Sequence, residues 1–562
     1  MKINTKKRGL LASVGALVAA AALTLGGVGT AHADPTIHLP AFATANLHIT
    51  KYDTPPAGPN EAANGLPTSH GDGPSIPAGA VPLEDVTFSV RRVSDIDLST
   101  NPGWEQAGEA QLNIADPFNP VVETSQADDT ALDLDAAVSL TTDVNGVVDF
   151  ANLPIGLYLV QETFTPAGVT PSAPFLVTLP LTDPSNQSDW LTDIYVYPKN
   201  SKLGEPEKAI DDATPFTAID QQRLSYTITA DVPRNPGQTD GTFRAPTGFR
   251  VSDDLAAELT PVSVVAELAP VAAGTLTSGT DYTVTPATFA AGDEVVVTFT
   301  AAGLEKLRIA AATPASKVVV TIVADVSPAI ATADAAALAV LGNVGRVFPD
   351  QASIDAPPAD ARWLVTNNVD THWGTLRFTK ADQEGNPLQN AQFKVATSRN
   401  NADTGVFIRA AAVMSAADGA VEITGLRASD FANNAMQELG AETTPGGGFD
   451  TYNPDYVVYW LTETTAPEGY ELLAQPVPVA LLSDGEVRQI SQNSDGSLRF
   501  DAATGRAEYG NPGDDLEIIN VAKNGGFTLP LTGGTGTLML TVGGIALLGL
   551  VLVVARRRRS QA

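Results

Sequence analysis

The sequence predicts an all-β chain of tandem immunoglobulin-like β-sandwiches, on three observations. Short apolar runs rich in Val, Thr, Ile and Tyr recur with period two, as in LSYTITADV (224–232), EVVVTF (294–299) and VVVTIVA (318–324). That alternation belongs to half-buried strands. Pro, Gly, Asn and Asp interrupt the runs at turn spacing, as sandwich domains require. Long helical patterns are scarce, and only the Ala-rich stretch 331–341 predicts a short helix. A length of 562 residues leaves room for three or four domains.

An internal repeat orders those domains. LHITKYD, which contains Lys51, matches LRFTKAD, which contains Lys380. PLEDVTFSV (82–90) matches PLQNAQFKV (387–395), and GVVDFANL (146–153) matches GAVEITGL (419–426). The fourth block pairs Tyr158-x-x-x-Glu162-Thr163 with Tyr459-x-x-x-Glu463-Thr464, each followed by Pro-x-Gly. Four blocks in one order predict two homologous sandwiches flanking a different β domain. The boundaries read as a leader (1–33), an N-terminal copy (34–200), a middle domain (201–370), a C-terminal copy (371–523) and a tail (524–562). Linkers are expected near 200–206 and 370–373. Residues 54–80 and 440–454 read as exposed loop insertions.

The two ends carry membrane-related signals. Lys2, Lys6, Lys7 and Arg8 precede an apolar run over 10–25, and Ala31-His32-Ala33 supplies a small-x-small cleavage site. This is the pattern of a secretory signal peptide removed after Ala33. At the far end, Leu529-Pro530-Leu531-Thr532-Gly533 precedes an apolar run over 538–555 and four arginines at 556–559. The run approaches the ~20 residues that cross a hydrocarbon core. The arginines stay cytoplasmic, so the bulk of the chain lies outside.

Composition removes several function classes. Lys and Arg number 33 against 64 Asp and Glu, a formal charge of −31, which argues against nucleic acid as a partner. There is no cysteine, so an exported chain of this size relies on large cores or on another covalent link. Five scattered histidines show no metal-ligand spacing, and no glycine-rich phosphate loop joins a strand to a helix. No metal or cofactor is expected.

The C-terminal pentapeptide, span and basic tail together resemble the LPXTG sorting signal of Gram-positive surface proteins. A tail-anchored protein with a chance LPLTG would not be expected to combine all three. The resemblance implies that a sortase cysteine cleaves between Thr532 and Gly533 and passes the Thr532 acyl group to an amine. The repeated blocks resemble the Cna-B-type domains of Gram-positive pilins and adhesins, and the Glu blocks resemble that family's E-box. The middle domain is similar to the Cna-A-like type. The resemblance implies a covalent bond from a first-strand lysine to a last-strand asparagine, catalysed by a buried Glu or Asp. The implied sets are Lys380, Glu463 and Asn520 in the C-terminal copy, and Lys208, Asp253 and Asn367 in the middle domain. There Asp254 and Asn368 leave the choice of neighbour open. In the N-terminal copy the set is Lys51, Glu162 and Asn200. That bond stays open, because many N-terminal domains of the family lack it or form it only after assembly.

The chemistry needs these residue types. A lysine near its ordinary pKa of about 10.4 is not a nucleophile at neutral pH. Burial disfavours the ammonium and favours a protonated carboxyl group, which then polarises the asparagine amide. Attack by the amine expels ammonia, once, without an external enzyme.

Trp190, Ile194, Val196, Tyr197, Pro198 and Lys199 resemble the W-x-x-x-V-x-V-Y-P-K pilin motif, with Ile194 at a family Val position. Pro198 is expected to end strand pairing and leave Lys199 accessible. The resemblance therefore implies a major pilin, similar to Spa-type and Actinomyces-type fimbrial subunits, in a cell-wall fimbria. A class C-type sortase would join Thr532 of one copy to Lys199 of the next, giving a linear polymer of the chain with itself. Further implied partners are a housekeeping sortase, peptidoglycan, tip or basal pilins, and a host or bacterial surface ligand that nothing in the loops identifies. Such a protein is not an enzyme. The alternative, a monomeric wall-anchored adhesin or minor pilin, would need LPLTG but not Lys199. It would usually add a ligand-binding domain, which the sequence does not display.

Overall fold

The computed structural model describes residues 43–53, 63–76, 79–114, 120–124, 130–235, 242–270, 274–328, 330, 338–440, 453–510 and 516–523. The leader, most of the 440–454 insertion, and the sorting signal with its apolar run and arginines lie outside the described residues.

In the N-terminal copy, β1 (Thr44–Thr50) turns Leu47 and Ile49 inward, because successive side chains on a strand face opposite sides. The chain continues as β2 (Tyr52–Asp53), β3 (Thr87–Arg92), β4 (Val147–Pro154), β5 (Gly156–Phe164) and β6 (Phe175–Leu179). It closes with β7 (Asp193–Val196) and β8 (Lys199–Lys202). One sheet holds β1 between parallel β7 and antiparallel β4, and a second holds β6, β5, β3 and Val138–Thr141. Leu47, Ile49, Phe88, Phe150, Val160 and Ile194 share the core between them.

Two expectations are corrected here. β7 does stop at Val196, before Tyr197 and Pro198, but Lys199 is not released: pairing resumes in β8, parallel to β2, with Lys199 opposite Tyr52 and Asn200 opposite Asp53. The 54–80 insertion is not simply an exposed loop. Its residue Gly65 bridges to Tyr195, Leu66 is buried, and the Tyr197 hydroxyl accepts a hydrogen bond from the Thr68 amide at 3.0 Å. Gly65 has φ +87°, and a Cβ there would meet the side chains of Leu181 and Leu191, so the close approach needs glycine.

The middle region contains β9 (Glu207–Asp211), β10 (Gln221–Asp231), β11 (Arg250–Asp254), β12 (Leu259–Ala269), β13 (Glu294–Phe299) and β14 (Lys317–Val326). Then come β15 (Ala339–Asn343) and β16 (Gly345–Phe348). One sheet has the order β9-β10-β14-β12, and the other contains β13, β11 and β16. The strands β10, β13 and β14 coincide with the runs read from the sequence. The helix expected over 331–341 is corrected in its second half. Residues 331–337 lie outside the described residues, and the part from Ala339 is strand β15.

The C-terminal region opens on β17 (Val369–Asp382), a strand of 14 residues. Its first part pairs with β15, from Asn343 opposite Val369 to Ala339 opposite Trp373. Its second part pairs with β19 (Ala420–Arg427) and, in parallel, with β22 (Glu517–Asn520). The other sheet includes β18 (Gln392–Ala396), β20 (Tyr459–Thr465) and β21 (Val477–Leu481). The linker expected at 370–373 is therefore part of a continuous strand. Asp370 and His372 are its half-buried face, while Thr371 and Trp373 are buried and Trp373 belongs to the middle core.

Candidate functional site: buried lysine clusters

Each implied lysine falls at a core position by strand parity. Lys51 follows Leu47 and Ile49 at the same spacing, Lys380 follows Leu376 and Phe378, and Lys208 shares the inward face of β9 with Ile210. All three are almost wholly buried, Lys51 and Lys380 at 0% exposure and Lys208 at 4%.

In the C-terminal copy, Lys380 Nζ donates to the carbonyls of Ile518 (2.7 Å) and Ala381 (3.2 Å). Burial lowers its pKa to about 8. Burial also raises the carboxyl of Glu463. Asn520 Nδ2 donates to Glu463 Oε1 at 2.8 Å and Oε2 at 3.0 Å, and the Leu473 amide donates to Oε2 at 2.9 Å. Asn520 Oδ1 is buried without a hydrogen-bond partner among the described residues. Turned half a revolution about its Cβ–Cγ bond, the amide presents Oδ1 to the same carboxyl, which donates to it when protonated.

In the middle region, Lys208 Nζ donates to Asp253 Oδ2 at 2.6 Å and lies 4.6 Å from the centre of the Tyr226 ring. Burial lowers the lysine to about 8 and raises Asp253. Asp254, the open alternative, points outward from β11. Asn367 is not in this cluster. It is exposed, and its side chain pairs with the Lys208 main chain, accepting from N at 2.8 Å and donating to O at 2.9 Å. Asn368 is exposed as well and donates to Asp370. The asparagine beside the buried acid is Asn343, at the end of β15, close to both Asp253 and Tyr226. Asn367 lies in the irregular link between the strand ending at Val365 and β17, where Thr366 and Val369 are buried and both Asn367 and Asn368 face solvent. Asn343 Nδ2 and Oδ1, Asp253 Oδ1 and the Tyr226 hydroxyl are all buried without hydrogen-bond partners among the described residues. A group of such atoms is costly to leave unsatisfied. The Leu341-Gly342-Asn343 spacing, which puts Asn343 on the inward side with Leu341, is the sequence signal that could have located it.

In the N-terminal copy, Lys51 Nζ is in close contact with Glu162 Oε1, and Asn200 Nδ2 donates to Glu162 Oε2 at 2.9 Å. Burial lowers the pKa of Lys51. The amide of Ser172 donates to Oε2 and its hydroxyl to Oε1. Asn200 and Lys199 are consecutive on β8, so Asn200 turns into this cluster while Lys199, half-buried, belongs to the other face. Tyr197 braces the 65–68 segment, and Trp190 packs on Trp104 with ring centres 5.2 Å apart. Val196 is in the core. Leu529, Pro530, Leu531, Thr532 and Gly533 lie outside the described residues.

Comparison with known proteins agrees with this layout. Residues 43–201 match the N-terminal domain D1 of Gram-positive pilin subunits, 374–495 a prealbumin-like fold domain, and 522–561 the LPXTG cell wall anchor motif. These matches make the chain similar to LPXTG-anchored Gram-positive pilins, and its anchor motif and fimbrial relatives support a place in a cell-wall-anchored surface fimbria. More particularly, it is similar to fimbrial subunit type 1 of Actinomyces viscosus, at 29% identity over 100% of this chain and 99% of that one. It is also similar to fimbrial subunit type 2 of Actinomyces naeslundii, at 26% identity with the same coverage. Among solved structures, the full-length major pilin SpaD of Corynebacterium diphtheriae aligns at 25% identity and TM-score 0.48, over 85% of this chain and 97% of that one.

Proposed function

We propose that this pilin is the shaft subunit of a covalent fimbria, with Lys199 as acceptor amine and Thr532 as acyl donor. The observation that carries the reading is the placement of Lys199. It sits in the last strand of the first sandwich, on the face opposite buried Asn200, in a chain that ends in a cell wall anchor. A class C-type sortase thiolate attacks the Thr532 carbonyl carbon, and the Thr532–Gly533 bond breaks with the proton going to the Gly533 amine. Neutral Lys199 Nζ of the next subunit then attacks the thioester, the thiolate leaves, and an amide remains. One donor and one acceptor per copy give an open, head-to-tail polymer. A housekeeping sortase would fix the finished polymer to peptidoglycan, and tip or basal pilins and a surface ligand would complete the assembly.

Internal amides strengthen the shaft in this reading. Lys380 Nζ bonds to Asn520 Cγ, the Cγ–Nδ2 bond breaks, and ammonia leaves with a proton relayed by Glu463. The depressed lysine, the raised carboxyl and the short Asn520–Glu463 contacts support this step. In the middle sandwich the corresponding bond joins Lys208 to Asn343, with Asp253 as the acid. The chemistry is self-directed and occurs once, so it is not turnover.

The test is peptide mass spectrometry on high-mass material released from the wall. The reading expects a branched peptide joining Thr532 to Lys199, and loss of the polymer in Lys199→Ala. Release only as monomer, with Thr532 on peptidoglycan and Lys199 unmodified, would replace the shaft with a wall-anchored adhesin or minor pilin.

A further inference from the structure

The three buried clusters differ in what reaches the asparagine. In the C-terminal copy both oxygens of Glu463 accept from Asn520 Nδ2, at 2.8 and 3.0 Å. In the N-terminal copy Glu162 Oε2 accepts from Asn200 Nδ2 at 2.9 Å. The middle region has an aspartate instead, one methylene shorter. Asp253 gives Oδ2 to Lys208 Nζ at 2.6 Å, and neither of its oxygens bonds to Asn343. The aromatic neighbours differ as well. Phe88 and Phe393, at matching positions of the repeat, lie opposite Glu162 and Glu463 in the strand pairing. Lys51 Nζ lies 5.7 Å from the centre of the Phe88 ring. The ring beside Lys208, at 4.6 Å, is a tyrosine. Tyr226 stands opposite Ile210 on β10, on the inward face that it shares with Lys208.

The Tyr226 hydroxyl is buried with no hydrogen-bond partner among the described residues, and so are Asn343 Oδ1 and Nδ2. The two side chains lie close together. Burial raises the tyrosine pKa, so the oxygen keeps its proton and remains a donor. A free buried donor costs the resting fold its desolvation. It finds a strong acceptor when negative charge develops on Asn343 Oδ1. An interaction made only at that moment lowers the barrier and leaves the ground state alone.

We propose that the Tyr226 hydroxyl is the oxyanion donor of the Lys208–Asn343 amide-forming step, a part that the two glutamate clusters leave to their longer acid. The inference rests on the reading that the middle sandwich forms this amide. Neutral Lys208 Nζ bonds to Asn343 Cγ, and the C=O electron pair moves onto Oδ1. Tyr226 donates a hydrogen bond to that oxygen and keeps its own proton throughout. One proton passes from Nζ to Nδ2 through Asp253. The electron pair then returns, the Cγ–Nδ2 bond breaks, and ammonia leaves. Tyr226 thus acts on a reacting atom, while Asp253 is confined to the proton.

The experiment uses the whole exported chain, recovered unfolded and unlinked, then refolded by dilution and sampled at intervals by intact mass and peptide mapping. Tyr226→Phe keeps the ring beside Lys208 and removes the donor. It should slow Lys208–Asn343 linkage by about 100-fold, the scale of one lost oxyanion donor. The Lys380–Asn520 peptide of the same molecules should link at the wild-type rate, which makes it an internal clock. Replacing Tyr226 with 3-fluorotyrosine, a stronger donor of similar shape, should link at least as fast as wild type. A merely structural hydroxyl would lower the melting temperature of Tyr226→Phe and would not follow donor strength. Linkage of Lys208 to Asn343 at the wild-type rate in Tyr226→Phe overturns the inference and leaves the function reading standing. Equal slowing of both peptides overturns it too, as general loosening. If wild type links Lys380 to Asn520 but never Lys208 to Asn343, the inference falls together with the middle-region bond. If no ammonia is lost anywhere, the whole internal-amide reading falls.

Discussion

The middle and C-terminal sandwiches bring a lysine to the same state by different routes. Burial lowers Lys208 and Lys380 alike to about 8, and raises the acid that each one faces. In the C-terminal copy the lysine and the asparagine lie on neighbouring parallel strands, with Lys380 opposite Ile518 and Asn520 opposite Asp382. In both regions the acid comes from the sheet opposite the lysine, but in the middle region the asparagine is Asn343, at the end of β15, which pairs with β17 and not with the lysine's strand. A bond in the first case fastens two strands of one sheet. In the second it would tie β9 to β15, the strand held by β17. The common requirement is desolvation of an amine beside an acid and an amide, and the order of the strands is free to vary.

The sharpest way to break this comparison is to exchange asparagines. Asn343→Ala should abolish the Lys208 cross-link and lower the stability of the middle sandwich by about 4 kcal/mol, the scale of opening a long covalent loop. Asn367→Ala should leave the linked peptide in place. Proteolytic mapping with mass spectrometry, beside thermal unfolding, reads both. Retention of the cross-link in Asn343→Ala sinks the assignment.

A smaller effect separates linked from unlinked lysine by pH. In Asn520→Ala, Lys380 stays an amine at about 8 in the folded chain, against about 10.4 when unfolded. Between those values the unfolded chain holds more protons, so stability rises with pH across the window, by about 3 kcal/mol in total. Glu463 acts oppositely at lower pH. Its raised carboxyl keeps a proton that the unfolded chain has released, so stability falls as pH climbs through that range. Denaturant titrations at graded pH should show the alkaline rise in Asn520→Ala and lose it in linked wild type, where the amide nitrogen does not titrate.

Least in size is Tyr226→Phe. Its buried hydroxyl has no hydrogen-bond partner among the described residues, so removal should change stability by no more than about 1 kcal/mol, in the neutral or stabilising direction. Destabilisation well beyond that would give the hydroxyl a structural role beside Asn343.

The contrast also explains what the residues disclosed. Lys380, Glu463 and Asn520 were legible because the internal repeat marks the blocks and period two puts Lys380 after Leu376 and Phe378. The β runs of the middle region were equally plain. Asn343 was hidden because an Ala-rich stretch resembles a helix, although Ala339–Asn343 is held extended by pairing with β17. Asn367 lies late in the domain, where a last-strand asparagine is expected, but it falls in the irregular link before β17 and faces solvent. Polar Asp370 and His372 imitated a linker, while the buried alternate residues Thr371 and Trp373 carry the strand through. Ser172 was invisible as a loop serine, since only folding brings it to Glu162.

That uninterrupted β17 has a consequence for how the subunit bears load. Its 14 residues extend about 45 Å, anchored at one end in the middle core through Trp373 and at the other in the C-terminal sheet. A slack tether between beads would take up the first part of any tug by straightening. A strand shared by the two sandwiches passes the pull on at once from one core to the next.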